Sequence, residues 1–283
     1  MSRTADALMA LAIPSVEQSY NEKDVILYAL GVGVGGQPSD PSELAFVYEQ
    51  DLQVLPGFAT VLAHPGFWPR DLDTGLDWKK IVHGEQFLLI ERPLPTSGRA
   101  SSRSRIRGVV DKGEGKGLLI NYERVLDVDG DPVAVVNQTL FCRGDGGGGS
   151  AGEPSRGLVV EPDRPPDAVF DLTPPPQAAL IYRLSGDLNP LHADPEVAAG
   201  AGFERPILHG LATYGAASFS LLQATGLSAA ALRKLDCRFR AAVFPGERLT
   251  TSIWRNGAEV RFSVAAVDRD VTVISNGHAE FAA

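Results

Sequence analysis

The sequence predicts an α+β protein built from two similar halves, each with an antiparallel sheet wrapped on a helix. A glycine-rich run at residues 144–152 divides the 283-residue chain into parts of similar length. Each part opens with a helix candidate and ends in several strand-like runs joined by short turns. The chain also contains 30 Gly and 20 Pro residues, a composition that favours a turn-rich protein over a helical bundle.

In the first half, a short helix is predicted to precede the strands. Asn21 can cap this helix, Asp24 lies three residues further on, and Gly31 is a natural stop. Strand-like runs follow at residues 85–90, 103–110, 117–128 and 133–142. The last two runs flank Asp129-Gly130-Asp131, which predicts a hairpin turn.

The segment between the halves is predicted to be a linker. Glycine loses more backbone freedom on ordering than any other residue, so the run at 144–152 is expected to behave as a flexible tether. An irregular, proline-rich patch follows at 161–166. We therefore predict an N-terminal domain at 1–143, a linker at 144–166 and a C-terminal domain at 167–283.

The second half is predicted to contain a long apolar helix over residues 211–223, ending near Gly226. A shorter helix is predicted before this long helix. It starts at Thr173 and the two prolines that follow, and it runs through 178–182 to Gly186. Strands are predicted at 234–244, 248–254, 259–267 and 271–281. The long helix is apolar on nearly all sides and rich in small residues, as expected when a curved sheet surrounds it. The first half has no equal of this helix, so its sheet is expected to leave a slot for a long apolar ligand.

Composition excludes several classes of function. The net charge of −9 argues against generic nucleic-acid binding and against docking on anionic membranes. No apolar run approaches the ~20 residues of a membrane-spanning helix. Cys142 and Cys237 are too few for a disulfide framework and indicate free thiols in a reducing cytoplasm. The sequence therefore predicts a cytoplasmic protein with small-molecule partners.

Asp187, Asn189 and His192 lie together in an irregular stretch that follows the shorter helix. A carboxylate and an imidazole in one turn can hold a water between two acceptors and take its proton. The alternative is structural, because Asp after Gly often caps a segment and Asn-Pro is a common turn pair. A metal site could also use Asp194 and His209, but the spacing matches no compact metal motif, so no metal is predicted.

Gly210 stands at the predicted start of the long helix. The first N–H groups of a helix lack internal partners and carry partial positive charge, so a carbonyl oxygen could bind there. Equally, Gly210 could simply allow tight packing of the helix end. His209 is expected to be structural, and His64 and His278 are expected to be ordinary surface or core histidines.

The run at 182–192, Tyr-Arg-Leu-Ser-Gly-Asp-Leu-Asn-Pro-Leu-His, resembles the signature of the R-specific enoyl-CoA hydratases, or hydratase 2, of the MaoC-like group. Residues 206–210 resemble the family's next block, and residues 20–33 resemble its opening helix. His83-Gly84 resembles a first-half counterpart of the family's His-Gly step. The resemblance covers nearly the whole chain and is close to the hydratase 2 domain of peroxisomal multifunctional enzymes.

This resemblance implies a double hot dog fold and the reversible hydration of trans-2-enoyl-CoA to (3R)-3-hydroxyacyl-CoA. The family's catalytic pair falls on Asp187 and His192, and Gly210 would donate its N–H to the thioester carbonyl. Positions that would contact the substrate fall on His83, Gly84, Lys112, Asn189 and Phe239. CoA belongs to the substrate, so no cofactor is implied. The first domain would bind the acyl chain without a catalytic pair, and a homodimer acting in β-oxidation is expected by analogy.

Other functions stay open on the sequence alone. The same fold could serve as a non-catalytic acyl-CoA-binding subunit, or run the reaction backwards as a biosynthetic 3-hydroxyacyl-thioester dehydratase. A thioesterase is less favoured, because hydrolases of this fold use different site residues. Arg103, Arg105 and Arg107 alternate along one strand, so they could bind the CoA phosphates or form a solvated strand face. The length and type of the acyl chain are not specified.

Overall fold

The computed structural model describes residues 4–282, and an 11-stranded antiparallel sheet runs through both halves of the chain. The strands are β1 Val16–Tyr20, β2 Ile81–Ile90, β3 Gly98–Asp111, β4 Leu118–Val128, β5 Asp131–Cys142, β6 Ala151–Gly152, β7 Ala168–Leu172, β8 Leu232–Phe239, β9 Leu249–Asn256, β10 Glu259–Ala266 and β11 Val271–Phe281. The helices are α1 Ala5–Met9, α2 Glu22–Gly31, α3 Pro41–Val47, α4 Trp68–Asp71, α5 Ala178–Tyr182, α6 Pro195–Gly200 and α7 Gly210–Thr225.

The strand order repeats between the halves. In space the order is β1-β3-β4-β5-β2 followed by β8-β11-β10-β9-β7, and β6 adds to β3. We leave β6 aside and number the five remaining strands of each half along the chain. Read from the outer edge of the sheet toward its centre, both halves then have the order first, third, fourth, fifth and second. The halves meet where β2 pairs antiparallel with β8. This architecture confirms the predicted α+β fold of two related sheets.

The sheet of the second half curves around α7, as predicted. Every residue from Ala212 to Leu222 is buried, and Gly226 ends the helix in a left-handed conformation. Gly215 shows why small residues are needed, because a Cβ there would lie 2.6 Å from the Val32 side chain and 2.7 Å from the Tyr28 hydroxyl. A larger residue at this position would push these neighbours away, so the close packing around the helix depends on its small residues.

The first half has a short 3-10 turn, Pro56–Thr60, where the second half has α7. Arg124 points from β4 toward this turn and is fully buried. Its guanidinium donates hydrogen bonds to the carbonyls of Ala59, Thr60 and Leu62, at 3.2 Å and 2.7 Å for the first two. The lack of a long helix is as predicted, and Arg124 occupies part of the space beneath the turn. Acyl-chain binding by this half stays a prediction.

The linker differs from the expected flexible tether. The Asp111 carboxylate accepts hydrogen bonds from the backbone of Gly147 at 3.0 Å and of Gly149 at 2.8 Å. Directly afterwards, β6 pairs with β3. Further along, the Asn276 side chain donates to the Val159 carbonyl at 3.0 Å. The glycines are therefore held by a carboxylate at the end of β3, and the linker is fixed against the sheet.

Several local predictions can be compared with the observed elements. Asn21 and Asp24 form the predicted capping box of α2. Thr173 does not cap α5, since Gln177 precedes that helix without a side-chain cap. The strand predicted at 234–244 ends at Phe239. Within the described residues, no helix is both long and apolar enough to cross a membrane.

Candidate active site

The segment from Asp187 to His192 is a tight turn outside the sheet. Gly186 allows the chain to enter it with a φ of 123°, a conformation that favours glycine. Asp187 Oδ1 accepts a hydrogen bond from the Asn189 N–H at 3.1 Å, and Asn189 Oδ1 accepts one from the Leu191 N–H at 3.1 Å. Asp187 and Asn189 thus fulfil the structural role considered for them, while the exposed Asp187 carboxylate still faces solvent.

His192 is buried at the base of this turn. Its Nδ1 lies 2.8 Å from the Ile207 carbonyl, which can only accept a hydrogen bond. Nδ1 must therefore carry the proton of the neutral ring, and Nε2 keeps a free lone pair. Burial lowers the pKa of His192, whereas the Ile207 carbonyl and Asp187 oppose this shift. The lowered pKa extends to lower pH the range in which the His192 ring is a neutral base.

His209 lies against both of these residues. Its ring stacks on the His192 ring with a centroid separation of 3.7 Å and an interplanar angle of 27°. Its Nε2 lies 3.1 Å from the main-chain carbonyl oxygen of Asp187. The sequence favoured a structural role for His209, with metal binding as an alternative, and its position next to Gly210 was a sign that it borders the site.

Asp187, His192 and His209 each place a potential metal-binding atom within 4.8 Å of the other two. The two rings lie in nearly parallel planes, and one nitrogen of each is already hydrogen-bonded to a carbonyl, so each ring has a single nitrogen left to offer an ion. Asp194, the other sequence candidate, instead caps α6 by accepting a hydrogen bond from Glu196 N at 2.8 Å. A metal-free site at this cluster stays a prediction.

Gly210 begins α7 and is exposed at its N-terminus. The preceding His209 makes no side-chain cap, so it leaves the first N–H groups of the helix without a side-chain acceptor. A Cβ on Gly210 would lie 3.6 Å from the Phe239 ring. An oxygen that bound at this helix terminus would therefore lie near the Phe239 ring.

The first half contributes a wall through His83 and Gly84 on β2. The His83 ring packs edge-on against Phe239 with centroids 4.8 Å apart, and its Nε2 lies 3.0 Å from the Glu85 carbonyl. Burial lowers the pKa of His83 to about 4, while Asp187 acts electrostatically in the opposite direction. Gly84 lies at a register shift where β2 pairs with β5, and a Cβ there would lie 3.2 Å from the Thr139 carbonyl.

The assignment of His83-Gly84 as the first-half counterpart of the His-Gly step was wrong. His83-Gly84 lies on a strand, whereas His209-Gly210 starts a helix. The positional counterpart is Pro56-Gly57, because residues 54–60 read Val-Leu-Pro-Gly-Phe-Ala-Thr and residues 207–213 read Ile-Leu-His-Gly-Leu-Ala-Thr. Pro56 begins the 3-10 turn that replaces α7 in the first half.

Lys112 lies apart from the other predicted residues. It is exposed in the turn after β3, at the end of the sheet where β2 starts, three strands from β2. Three strand spacings of about 4.8 Å therefore separate Lys112 from β2, in addition to an offset along the strands. In the described part of the chain, the structure shows no contact between the Lys112 side chain and His83, Asp187 or His192.

His64 was assigned no role from the sequence, yet Asp187 and His83 both act on it electrostatically. Burial, together with the nearby Arg124, lowers the pKa of His64 to about 3. The preceding Ala63 has a φ of 46°, which is rare for a residue other than glycine. The side-chain oxygen of Gln18 accepts a hydrogen bond from the Ala63 N–H at 2.8 Å. No local sequence signal indicates this position, because the contacts come from distant segments.

The arginines of β3 are paired with carboxylates. Arg103 contacts Asp127, and both Arg105 and Arg107 contact Glu123. Arg107 also contacts Glu153 of the linker. Their charges are therefore balanced locally, which favours the interpretation as a solvated strand face over a phosphate site.

The fold and the site define a class of protein: a double hot dog with a carboxylate and a buried imidazole near the N-terminus of a central helix. A family described as the MFE-2 hydratase 2 N-terminal domain matches residues 18–144, and the MaoC like domain matches residues 158–277. The chain belongs to the hydratase 2 family of MaoC-like proteins.

Several relatives match over nearly their whole length. Enoyl-CoA hydratase ChsH3 of Mycobacterium tuberculosis is 38% identical and covers 96% of each chain. The peroxisomal enoyl-CoA hydratase 2 of Arabidopsis thaliana is 38% identical, with 96% of this chain and 93% of that protein covered. The 3-hydroxyacyl-thioester dehydratase Y of M. tuberculosis is 40% identical, with 93% of each covered.

Solved structures agree with this assignment. A MaoC-like dehydratase from Phytophthora capsici superimposes with a TM-score of 0.86, 30% identity and 98% of both chains covered. A double hotdog protein from M. tuberculosis matches with a TM-score of 0.59 and 14% identity, covering 95% of this chain and 94% of that one. The second match shows the fold alone.

Proposed function

We propose that this protein catalyses the reversible hydration of trans-2-enoyl-CoA to (3R)-3-hydroxyacyl-CoA. The observation that carries the proposal is the grouping of an exposed carboxylate, Asp187, and a neutral imidazole, His192, beside the helix terminus at Gly210. Two relatives named enoyl-CoA hydratase match over 96% and 93% of their length, which supports this reaction.

The chemistry follows from the positions of these groups. The thioester carbonyl would accept a hydrogen bond from the Gly210 N–H, which stabilises the negative charge that develops as C3 is attacked. Asp187 would hold the attacking water, and His192 Nε2 would take its proton. The pair would then return one proton to C2. No cofactor is needed in this proposal, because the thioester itself activates the double bond.

The remaining predicted residues have separate proposed roles. His83, Gly84 and Phe239 would form the wall against which the thioester lies. Asn189 would act by holding the Asp187 turn, since its N–H and its side chain both bind within that turn. Lys112 is exposed and distant from the catalytic pair, so it would contact the CoA moiety and not the reacting atoms.

The test is an assay of the purified protein with trans-2-enoyl-CoA substrates of increasing chain length. Hydration removes the conjugated double bond, so the ultraviolet absorbance should fall, and chiral chromatography should identify the (3R) product. Unchanged absorbance for all chain lengths, despite calorimetric binding of enoyl-CoA, would instead establish a non-catalytic acyl-CoA-binding subunit. The presence of both Asp187 and His192 argues against that outcome, because a binding protein needs neither.

A second candidate is the same reaction in the dehydrating direction. The 40% identical relative named 3-hydroxyacyl-thioester dehydratase Y supports this second candidate. Comparing CoA thioesters with carrier-protein thioesters as substrates separates a degradative hydratase from a biosynthetic dehydratase. A release of free CoA would identify a thioesterase.

The setting of the reaction is also a proposal. We place the protein in the cytoplasm, acting on acyl-CoA in β-oxidation as a homodimer. The two cysteines, Cys142 and Cys237, are buried free thiols, which suits a reducing compartment. Light scattering of the purified protein and fractionation of cells test these two statements.

A further inference from the structure

His209 connects three parts of the site that are separate in the sequence. Its Nε2 lies 3.1 Å from the Asp187 carbonyl, its ring covers one face of His192, and the next residue is Gly210. The side chain is 2% exposed. The Tyr182 ring also lies against it, with ring centroids 4.8 Å apart. A buried side chain with these neighbours fixes the positions of all three groups at once.

The hydrogen bonds also fix the protonation state of His209. A carbonyl can only accept, so Nε2 carries a proton and donates it to the Asp187 carbonyl. Nδ1 is buried and has no hydrogen-bond partner among the described residues. Adding a second proton would bury an N–H without an acceptor and would place a charge against the His192 ring. His209 is therefore held neutral, as a fixed donor.

The first half of the molecule shows that the fold alone does not require this histidine. The segments 54–60 and 207–213 share Leu, Gly, Ala and Thr at matching positions, yet Pro56 stands where the second has His209. The turn that follows α2 in the first half, residues 32–36, reads Val-Gly-Val-Gly-Gly and has no counterpart of Asp187. The imidazole is thus present in the half that has the acid–base pair and absent from the half that lacks it.

We propose that His209 is a positioning residue, which holds the Asp187 main chain and the His192 ring in the arrangement that the reaction needs. This inference rests on the proposed hydration activity. The donor function fixes Asp187, and the stacked ring keeps one face of His192 away from water. The two functions can be separated, because one substitution can keep the ring while another keeps the hydrogen-bond donor.

Two substitutions separate the functions. His209→Phe keeps a stacked ring and removes the donor, whereas His209→Gln keeps an amide donor near the Nε2 position and removes the ring. For His209→Phe we expect kcat to fall about tenfold or more with little change in KM, because Asp187 loses its anchor. For His209→Gln we expect kcat to stay closer to that of the unmodified protein.

The pH profile gives a readout that loss of packing alone would not produce. The charged or titratable groups that act on His192 are Asp187, Arg183 and His209. Without the stacked ring, His192 becomes more hydrated and is protonated more easily, so the acidic limb of kcat/KM should move to higher pH in His209→Gln. In His209→Phe the limb should stay in place. His278→Gln is the matched control, because His278 is also buried but lies on β11 beside Glu259 and Glu280.

Three results decide the inference. Loss of kcat in the Phe variant together with the shifted limb in the Gln variant supports it. An unchanged kcat and pH profile in both variants overturns it. If the variants fail to fold, nitrogen NMR of the unmodified protein decides, because the inference requires His209 to be neutral with its proton on Nε2 throughout the active pH range. An inactive unmodified protein would refute the proposed function, and the NMR measurement would still test the position of the proton.

Discussion

The two halves of the molecule have the same strand order but use it differently. The second half encloses the long helix α7, and its exposed start at Gly210 borders the acid–base pair. The first half encloses a short 3-10 turn and satisfies three carbonyls near it with the buried Arg124. Under the proposed function, one half would perform the chemistry at a helix terminus, while the other would supply a wall containing His83.

The largest expected effect comes from the acid–base pair of the second half. Asp187→Asn and His192→Gln should each lower kcat by about 10²–10⁴-fold, because each removes a group that acts on the water. Asp194→Asn is the matched control, since that carboxylate caps α6 a few residues later. The enoyl absorbance assay measures the change, and circular dichroism verifies folding. Equal loss in the control would assign the effect to the local structure.

Arg124→Met tests the first half. We expect the free energy of unfolding to fall by about 3 kcal/mol, because three buried carbonyls each lose a donor at about 1 kcal/mol. Urea denaturation followed by fluorescence measures this change. The specific activity of the protein that remains folded should fall much less than in the Asp187 variant. A stability equal to that of the unmodified protein would show that the carbonyls find other donors.

Matched glycine substitutions compare the halves directly. A Cβ on Gly57 would lie 2.5 Å from the Tyr28 hydroxyl, so Gly57→Ala should lower the free energy of unfolding by about 1–3 kcal/mol. A Cβ on Gly210 meets only ordinary contacts with Phe239, so Gly210→Ala should keep its stability and lose about tenfold in kcat/KM by crowding the carbonyl site. The reverse pattern of stability and activity would contradict the division of roles.

The smallest expected effect is a shift of the acidic limb in the pH profile of kcat/KM. Burial lowers the pKa of His192, so the base stays neutral to a lower pH than an exposed histidine would. The acidic limb of kcat/KM should therefore lie below the ordinary histidine value of about 6.5. Initial rates across a series of buffers, each checked for intact protein, measure it. A limb at or above that value would contradict the assigned environment of His192.

The sequence predicted the contiguous features well and the long-range ones poorly. The α7 helix and the long strands follow from apolar patterns within single segments, and Asp187 and His192 lie within one short run. The edge strands β1 and β7 were missed, because each is only five residues long and partly exposed. The tethered linker depends on Asp111, more than 30 residues away from the glycines that it binds.

The same reason explains the site residues that were missed or left without a specific role. His209 acquires its role from contacts with Asp187 and His192, which lie 22 and 17 positions earlier in the sequence. His64 comes near Asp187 only through the folding of the first half against the second. Arg124 sits on a strand whose alternating pattern predicts an apolar side chain at a buried position. Such roles follow from tertiary contacts and leave no local pattern.

A double-mutant cycle on Asp187 and His192 tests the central statement, that both side chains act on one water. We compare kcat for Asp187→Asn, His192→Gln and the combined variant on the same enoyl-CoA. Groups that act as a unit lose their contribution together, so the combined variant should be about as slow as the slower single variant. Rate losses that multiply in the combined variant would show that the two groups act independently, and would contradict the account.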